Sequence, residues 1–211
     1  QSTGQVVASV EYRRAPEHPF PVPLEDCYAA AKALYTNRSI LHTDPEKITV
    51  MGDSAGGNLA AAVALKARNT KDFRIERQIL IYPALYNCYT EESPFASVRE
   101  NGEGYLLTAV KMQDYIELYK SGDGDLLNPL FAPLMEKNLG GMPRTLILTA
   151  EFEPLRDEGE DYGRRLKEAG NQVEIHRIPD ALHGYFALGI QFLHVRESFG
   201  YMNGFLENNS V

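Results

Sequence analysis

Cysteine is scarce: the 211 residues contain only Cys27 and Cys88. Two are too few for a disulfide scaffold, and both read as buried or half-buried free thiols. No CxxC or HExxH spacing is present, so the sequence offers no metal site. No run approaches the roughly 18 consecutive apolar residues of a membrane span. The opening Gln1-Ser2-Thr3-Gly4-Gln5 has neither the basic start nor the apolar stretch of a secretory signal. Positive charge is also short, with 21 Lys plus Arg against 29 Asp plus Glu and a formal net charge of -8. That balance repels phosphate backbones and argues against a nucleic-acid partner. There is no internal repeat or low-complexity segment. What is present, 44% hydrophobic and 24% charged residues, suffices for the packed core of one domain.

Strand-like and helix-like segments alternate, which predicts an α/β fold with a mostly parallel sheet flanked by helices. Strands are expected at residues 6–12, 47–51, 78–82 and 144–150, with a last one around 173–178. The proline-rich stretch 15–23 cannot be helical. After it, Leu24, Tyr28, Ala31 and Tyr35 recur at helical spacing, with Pro23 in the tolerated first turn. Further helices are expected at 58–68 and at 158–168, the latter closed by Gly170, and at about 195–206. Residues 84–143 interrupt the alternation. They are long, turn-rich and aromatic, with one helix expected at 107–120, and such an insertion suits a cap or lid over a site.

Gly52-Asp53-Ser54-Ala55-Gly56 fits G-x-S-x-G between an expected strand and an expected helix. A serine at that turn has its hydroxyl thrust outward, and a Cβ at either flanking glycine is expected to collide with backbone. The helix that follows aims its positive end at developing negative charge, which makes the Ala55 amide a natural oxyanion donor. A serine hydroxyl needs a base. Of His18, His42, His176, His183 and His194, only His183 falls in a loop after the last strand, at the carboxyl edge of the sheet where ligand sites collect. The third member is a carboxylate between Ser54 and His183 in the chain, following a strand. Glu151, Glu153 and Asp157 qualify by position. Glu153 is best placed, while Asp157 lies close enough to a helix start to be a cap.

These segments resemble the hormone-sensitive-lipase-like esterases, a branch of the α/β-hydrolases. Tyr12-Arg13-Arg14-Ala15-Pro16-Glu17 is similar to that family's Tyr-Arg-Leu-Ala-Pro-Glu segment, and Gly52 to Asn58 to its nucleophile motif. Glu153-Pro154-Leu155-Arg156-Asp157-Glu158-Gly159 resembles its Asp-Pro-Leu-Arg-Asp-Glu-Gly segment, whose first Asp is the triad acid. His183-Gly184-Tyr185-Phe186 resembles the segment around its triad base. Two departures stand out. Glu153 replaces the usual Asp, and the family's His-Gly-Gly motif, source of the other oxyanion amides, is absent from the 211 residues. In the family's fold the strand before that motif lies between those matching residues 6–12 and 47–51. The chain is therefore expected to be the amino-terminally incomplete catalytic domain of a longer esterase, with the missing segment lost or present as a separate piece.

The resemblance implies hydrolysis of short to medium acyl carboxylic esters through an acyl-enzyme. Ser54 is the nucleophile, His183 the base, Glu153 its orienting acid and Ala55 an oxyanion donor, with no metal or organic cofactor. The expected partner is a small-molecule ester, with no nucleic acid and no transmembrane segment. Homo-oligomerisation is left open, and the cytoplasm is the favoured compartment. Two other readings remain: a serine peptidase or amidase, and a non-catalytic ligand-binding protein on the same scaffold.

Overall fold

A computed structural model describes residues 4–207. Four parallel strands stand side by side in chain order: β1 (Thr49–Asp53), β2 (Arg77–Ile81), β3 (Arg144–Phe152) and β4 (Val173–Leu182). Register runs Asp53 to Ile81 to Leu148, so the carboxyl ends of all four strands lie along one edge of the sheet.

Successive side chains of a strand point to opposite faces, and two apolar clusters follow from that alternation. Leu80 and Ile147 face one side, packed with α1 (Val22–Thr36), α3 (Ala55–Thr70) and α6 (Arg156–Glu168). Ile79, Ile81, Leu146 and Leu148 face the other, under α7 (Leu193–Glu207). Each of these fully buried strand residues contributes about 2 kcal/mol by removal from water. Helix α3 is buried nearly all round, from Leu59 to Leu65 and at Ala67. Its alanines let it sit tightly between the sheet and α1. A short α2 (Arg38–Leu41) leads toward β1. Among the described residues, no helix is long and apolar enough to cross a membrane.

Most expected elements are present with shifted ends. Residues 6–12 are the exception, since they form no strand. Val6 and Val7 are 90% and 83% exposed, and no strand among the described residues lies beside them or along the free edge of β1. A β-branched run becomes a strand only where a partner takes its backbone hydrogen bonds.

Residues 84–143 carry α4 (Ala96–Glu100) and α5 (Ala109–Tyr119), the latter capped by Thr108, whose hydroxyl accepts from the Lys111 amide at 3.2 Å. The segment is folded into the core: Tyr89, Val98, Leu107, Met112, Ile116 and Phe131 are all buried. Cys27 and Cys88 are free and half-buried, and burial pushes the Cys27 thiol up to about 11.

Candidate active site

One residue beyond the end of each strand stands at the common edge: Ser54 after β1, Tyr82 after β2, Glu153 after β3 and His183 after β4. Parallel register therefore brings together groups up to 129 positions apart in the chain. Ser54 Oγ lies 2.8 Å from His183 Nε2. His183 Nδ1 lies 2.5 Å from Glu153 Oε2. A neutral imidazole satisfies both contacts with its proton on Nδ1, donated to Glu153, while Nε2 accepts from the serine hydroxyl.

Ser54 has φ 53° and ψ -117°, a left-handed conformation that a residue with a Cβ rarely adopts. The turn is over-determined by its neighbours. The Ser54 amide donates to Ile81 O at 2.9 Å, and its carbonyl accepts from the amides of Asn58 and Ala84 at 3.1 and 3.3 Å. Close approach makes two glycines necessary. A Cβ on Gly52 would lie 2.1 Å from Gly56 O, and one on Gly57 would lie 2.8 Å from Pro83 Cβ. The expectation for Gly56 fails, because a Cβ there meets nothing nearer than Asp53 Oδ1 at 3.8 Å. The second crowded position is thus Gly57, pressed by the chain leaving β2. The first amides of α3, that of Ala55 foremost, have no acceptor within the helix and follow directly on Ser54.

Glu153 is fully buried. Its Oε1 accepts from the Ala150 amide at 2.8 Å, leaving Oε2 for His183. Burial pushes its carboxyl above the usual range, and the hydrogen bonds from His183 and Ala150 pull in the opposite direction. Asp157 is elsewhere: it caps the Ser97 amide at 2.7 Å and pairs with Arg156 Nε at 2.9 Å. Burial opposes its ionisation, but those partners outweigh it and hold its carboxyl below the usual range. Glu151 Oε2 accepts from the Asp180 amide. Of the remaining histidines, His176 stacks on Tyr201 at 3.8 Å between ring centroids, and His194 lies near Tyr185. His18 belongs to the proline-rich turn, its amide bonded to Arg14 O, and His42 follows α2.

Two residues near the site, Asn101 and Tyr82, have no motif signal of their own, and Glu158, inside the segment 153–159, has no role assigned from the sequence. Asn101, from the 84–143 segment, donates to the carbonyls of Glu151 and Glu153 at 3.2 and 3.3 Å. Glu158 is fully buried and accepts at Oε1 from the amides of Leu85 and Tyr86 and from the Tyr89 hydroxyl. Burial raises its carboxyl to about 8, against the pull of those donors. Tyr82 packs its ring against the His183 imidazole. Its signal was its position as the first residue beyond a buried strand, just before Pro83.

A family profile described as the α/β hydrolase fold matches residues 1–187. An arylesterase of Saccharolobus solfataricus is 37% identical over 180 residues, covering 85% of this chain and 57% of the relative. The ethyl acetate hydrolase of Pseudomonas putida is 34% identical over 191 residues, covering 90% of this chain and 58% of its own. The chain thus spans less than three fifths of these curated relatives. An esterase structure from Pyrobaculum calidifontis superimposes with a TM-score of 0.91 at 38% identity, covering 100% of this chain and 68% of that one.

Proposed function

Because the chain belongs to the α/β-hydrolase family, in its hormone-sensitive-lipase-like branch, we propose that it hydrolyses carboxylic esters of short to medium acyl chains through a serine acyl-enzyme. The observation that carries the reading is the continuous relay from Ser54 Oγ to His183 Nε2 and from His183 Nδ1 to Glu153 Oε2, at 2.8 and 2.5 Å. Arylesterase and ethyl acetate hydrolase among the relatives support the same class of bond.

In this mechanism Ser54 Oγ attacks the ester carbonyl carbon as its proton passes to His183 Nε2. The carbonyl π electrons move onto oxygen, and the Ala55 amide stabilises the charge that forms there. Buried Glu153 holds the imidazole in the required tautomer and stabilises the imidazolium. Collapse of the tetrahedral intermediate breaks the bond to the alkoxide, which takes the proton from Nε2 and leaves as alcohol. Water then attacks the acyl-serine, giving its proton to the same nitrogen. Carboxylic acid departs and the Ser54 hydroxyl is restored. Residues 84–143, fastened to the loop carrying Glu153 by Asn101 and Ser97, bound the acyl side of the site in this reading.

Hydrolysis of p-nitrophenyl acetate, butyrate and dodecanoate tests it. Turnover of the two shorter esters, slower turnover of the longest and loss of activity in Ser54→Ala are expected. A Ser54→Ala variant as active as the unaltered protein would overturn the mechanism.

A further inference from the structure

Tyr82 occupies, on β2, the position that Ser54, Glu153 and His183 occupy on the other three strands, and the mechanism above leaves it without a role. It is 1% exposed and has φ 36°, so a bulky aromatic residue is held in a left-handed conformation at the site edge. Such strain persists only where the surroundings impose it. Here the Tyr82 amide donates to Leu148 O at 2.6 Å, and the main chain continues into Pro83, against which Gly57 is packed.

Both ends of the side chain touch the catalytic turns. The ring lies 4.6 Å from the His183 imidazole, centroid to centroid, at 56° between planes. Tyr185 packs edge-on against the same ring at 5.4 Å and is itself tied through its hydroxyl to Ser198 Oγ at 2.7 Å. The Tyr82 hydroxyl makes a long hydrogen bond to Asp53 Oδ2 at 3.4 Å, one residue before the nucleophile. The backbone of Phe186, three residues after the base, stands near the same hydroxyl and eases its ionisation slightly. Burial raises this hydroxyl far above the ordinary tyrosine range, so it stays protonated and able to donate to Asp53.

We propose that Tyr82 is a positioning residue for the reaction: its ring walls one side of the His183 imidazole, and its hydroxyl, bonded to Asp53, ties that wall to the turn bearing Ser54. The inference rests on the ester-hydrolase reading for its kinetic consequence, and on geometry alone for its structural one. Glu153 fixes only one end of the imidazole through Nδ1. Rotation and tilt about that bond are limited by what packs against the ring, and Tyr82 is that wall. Loss of the wall leaves the base misplaced relative to Ser54 Oγ for part of the time, which lowers turnover without changing how substrate binds.

Three variants separate the parts: Tyr82→Phe keeps the ring and removes the tie to Asp53, Tyr82→Leu removes both, and Tyr162→Leu empties an equally buried tyrosine site in the opposite cluster. With p-nitrophenyl butyrate, kcat is expected to fall about 3- to 10-fold in Tyr82→Phe and about 30- to 100-fold in Tyr82→Leu, with KM within about twofold. Tyr162→Leu is expected to lower Tm while leaving kcat unchanged. A second readout needs no turnover: the downfield Nδ1–H proton resonance of His183, held by Glu153, should be sharp in the unaltered protein, weaker in Tyr82→Phe and exchange-broadened in Tyr82→Leu. Should Tyr82→Leu fail to fold, Tyr82→Phe carries the same comparison on kcat and on the resonance. An unchanged kcat together with an unchanged resonance in a folded Tyr82 variant overturns the proposal. Absence of ester turnover in the unaltered protein would instead overturn the hydrolase reading, and the resonance would still decide the role of Tyr82.

Discussion

Replacing Glu153 by glutamine changes one atom of the side chain and keeps its shape, and the structure dictates which way the amide must face. The Ala150 amide donates to Oε1 at 2.8 Å, so the carbonyl of the introduced glutamine is held there. Its NH2 group then faces His183 Nδ1, 2.5 Å from the oxygen it replaces. Two donors cannot share that contact, and Nδ1 becomes an acceptor. The imidazole proton moves to Nε2, where it points at Ser54 Oγ and cannot receive the serine proton. Wrong-tautomer substitutions of this kind in serine hydrolases cost about 10⁴ in kcat, or about 5.4 kcal/mol of transition-state stabilisation. KM should be nearly unaltered, since Glu153 is fully buried. Steady-state hydrolysis of p-nitrophenyl butyrate measures the loss, with circular dichroism to confirm folding. Glu153→Asp shortens the side chain by one carbon, about 1.5 Å of reach, and is expected to fall between Glu153→Gln and the unaltered protein. A folded Glu153→Gln variant that kept a tenth of its kcat would refute the role given to this carboxylate.

Other consequences are measurable with the same protein. Asp157→Asn removes the charge from the Ser97 cap and the Arg156 pair, and should cost about 1 kcal/mol of stability in urea while leaving kcat within about threefold. Gly52→Ala places a Cβ 2.1 Å from Gly56 O, whereas at Gly56 the nearest atom is 3.8 Å away. Thermal denaturation should therefore show a large loss of Tm, or no soluble protein, for Gly52→Ala, and only a small change for Gly56→Ala. Glu158 has its carboxyl raised to about 8 in the folded protein, against an unfolded value near 4.5. The native state binds the extra proton between those values, so stability should fall as pH rises from 5 to 8, on the order of 3 kcal/mol from this group. Urea midpoints for Glu158→Gln should show a shallower decline over the same range, and an equally steep one would remove Glu158 as the cause.

The parts of the site legible in the sequence were those with a local cause. A tight strand-to-helix turn demands glycine at 52 and suits a small hydroxyl residue at 54, and both stand in five consecutive residues. The order of Ser54, Glu153 and His183 follows from successive strand ends meeting at one edge. Glu153 is preferred over Asp157 from its loop position, but sequence alone leaves the choice open because both follow β3 within five residues. Only the packed positions of Ala150 and Ser97 assign one carboxylate to His183 and the other to a cap. Gly57 was overlooked as the second crowded glycine because its neighbour, Pro83, is distant in sequence. Tyr82 was hidden for a related reason, as an aromatic residue ending an apolar run reads as core. Residues 6–12 carried a sound local strand signal, and the structure leaves them without regular secondary structure, exposed up to Glu11, because a strand is completed by its neighbour.

In the proposed mechanism, His183 and Glu153 make the Ser54 hydroxyl nucleophilic. Labelling with a fluorophosphonate, followed by peptide mapping in a mass spectrometer, reads that nucleophilicity without any ester substrate. A single adduct on Ser54 is expected, formed rapidly in the unaltered protein and slowed by orders of magnitude in His183→Ala. An adduct on another residue, or one that forms on Ser54 equally fast without the imidazole, would contradict it.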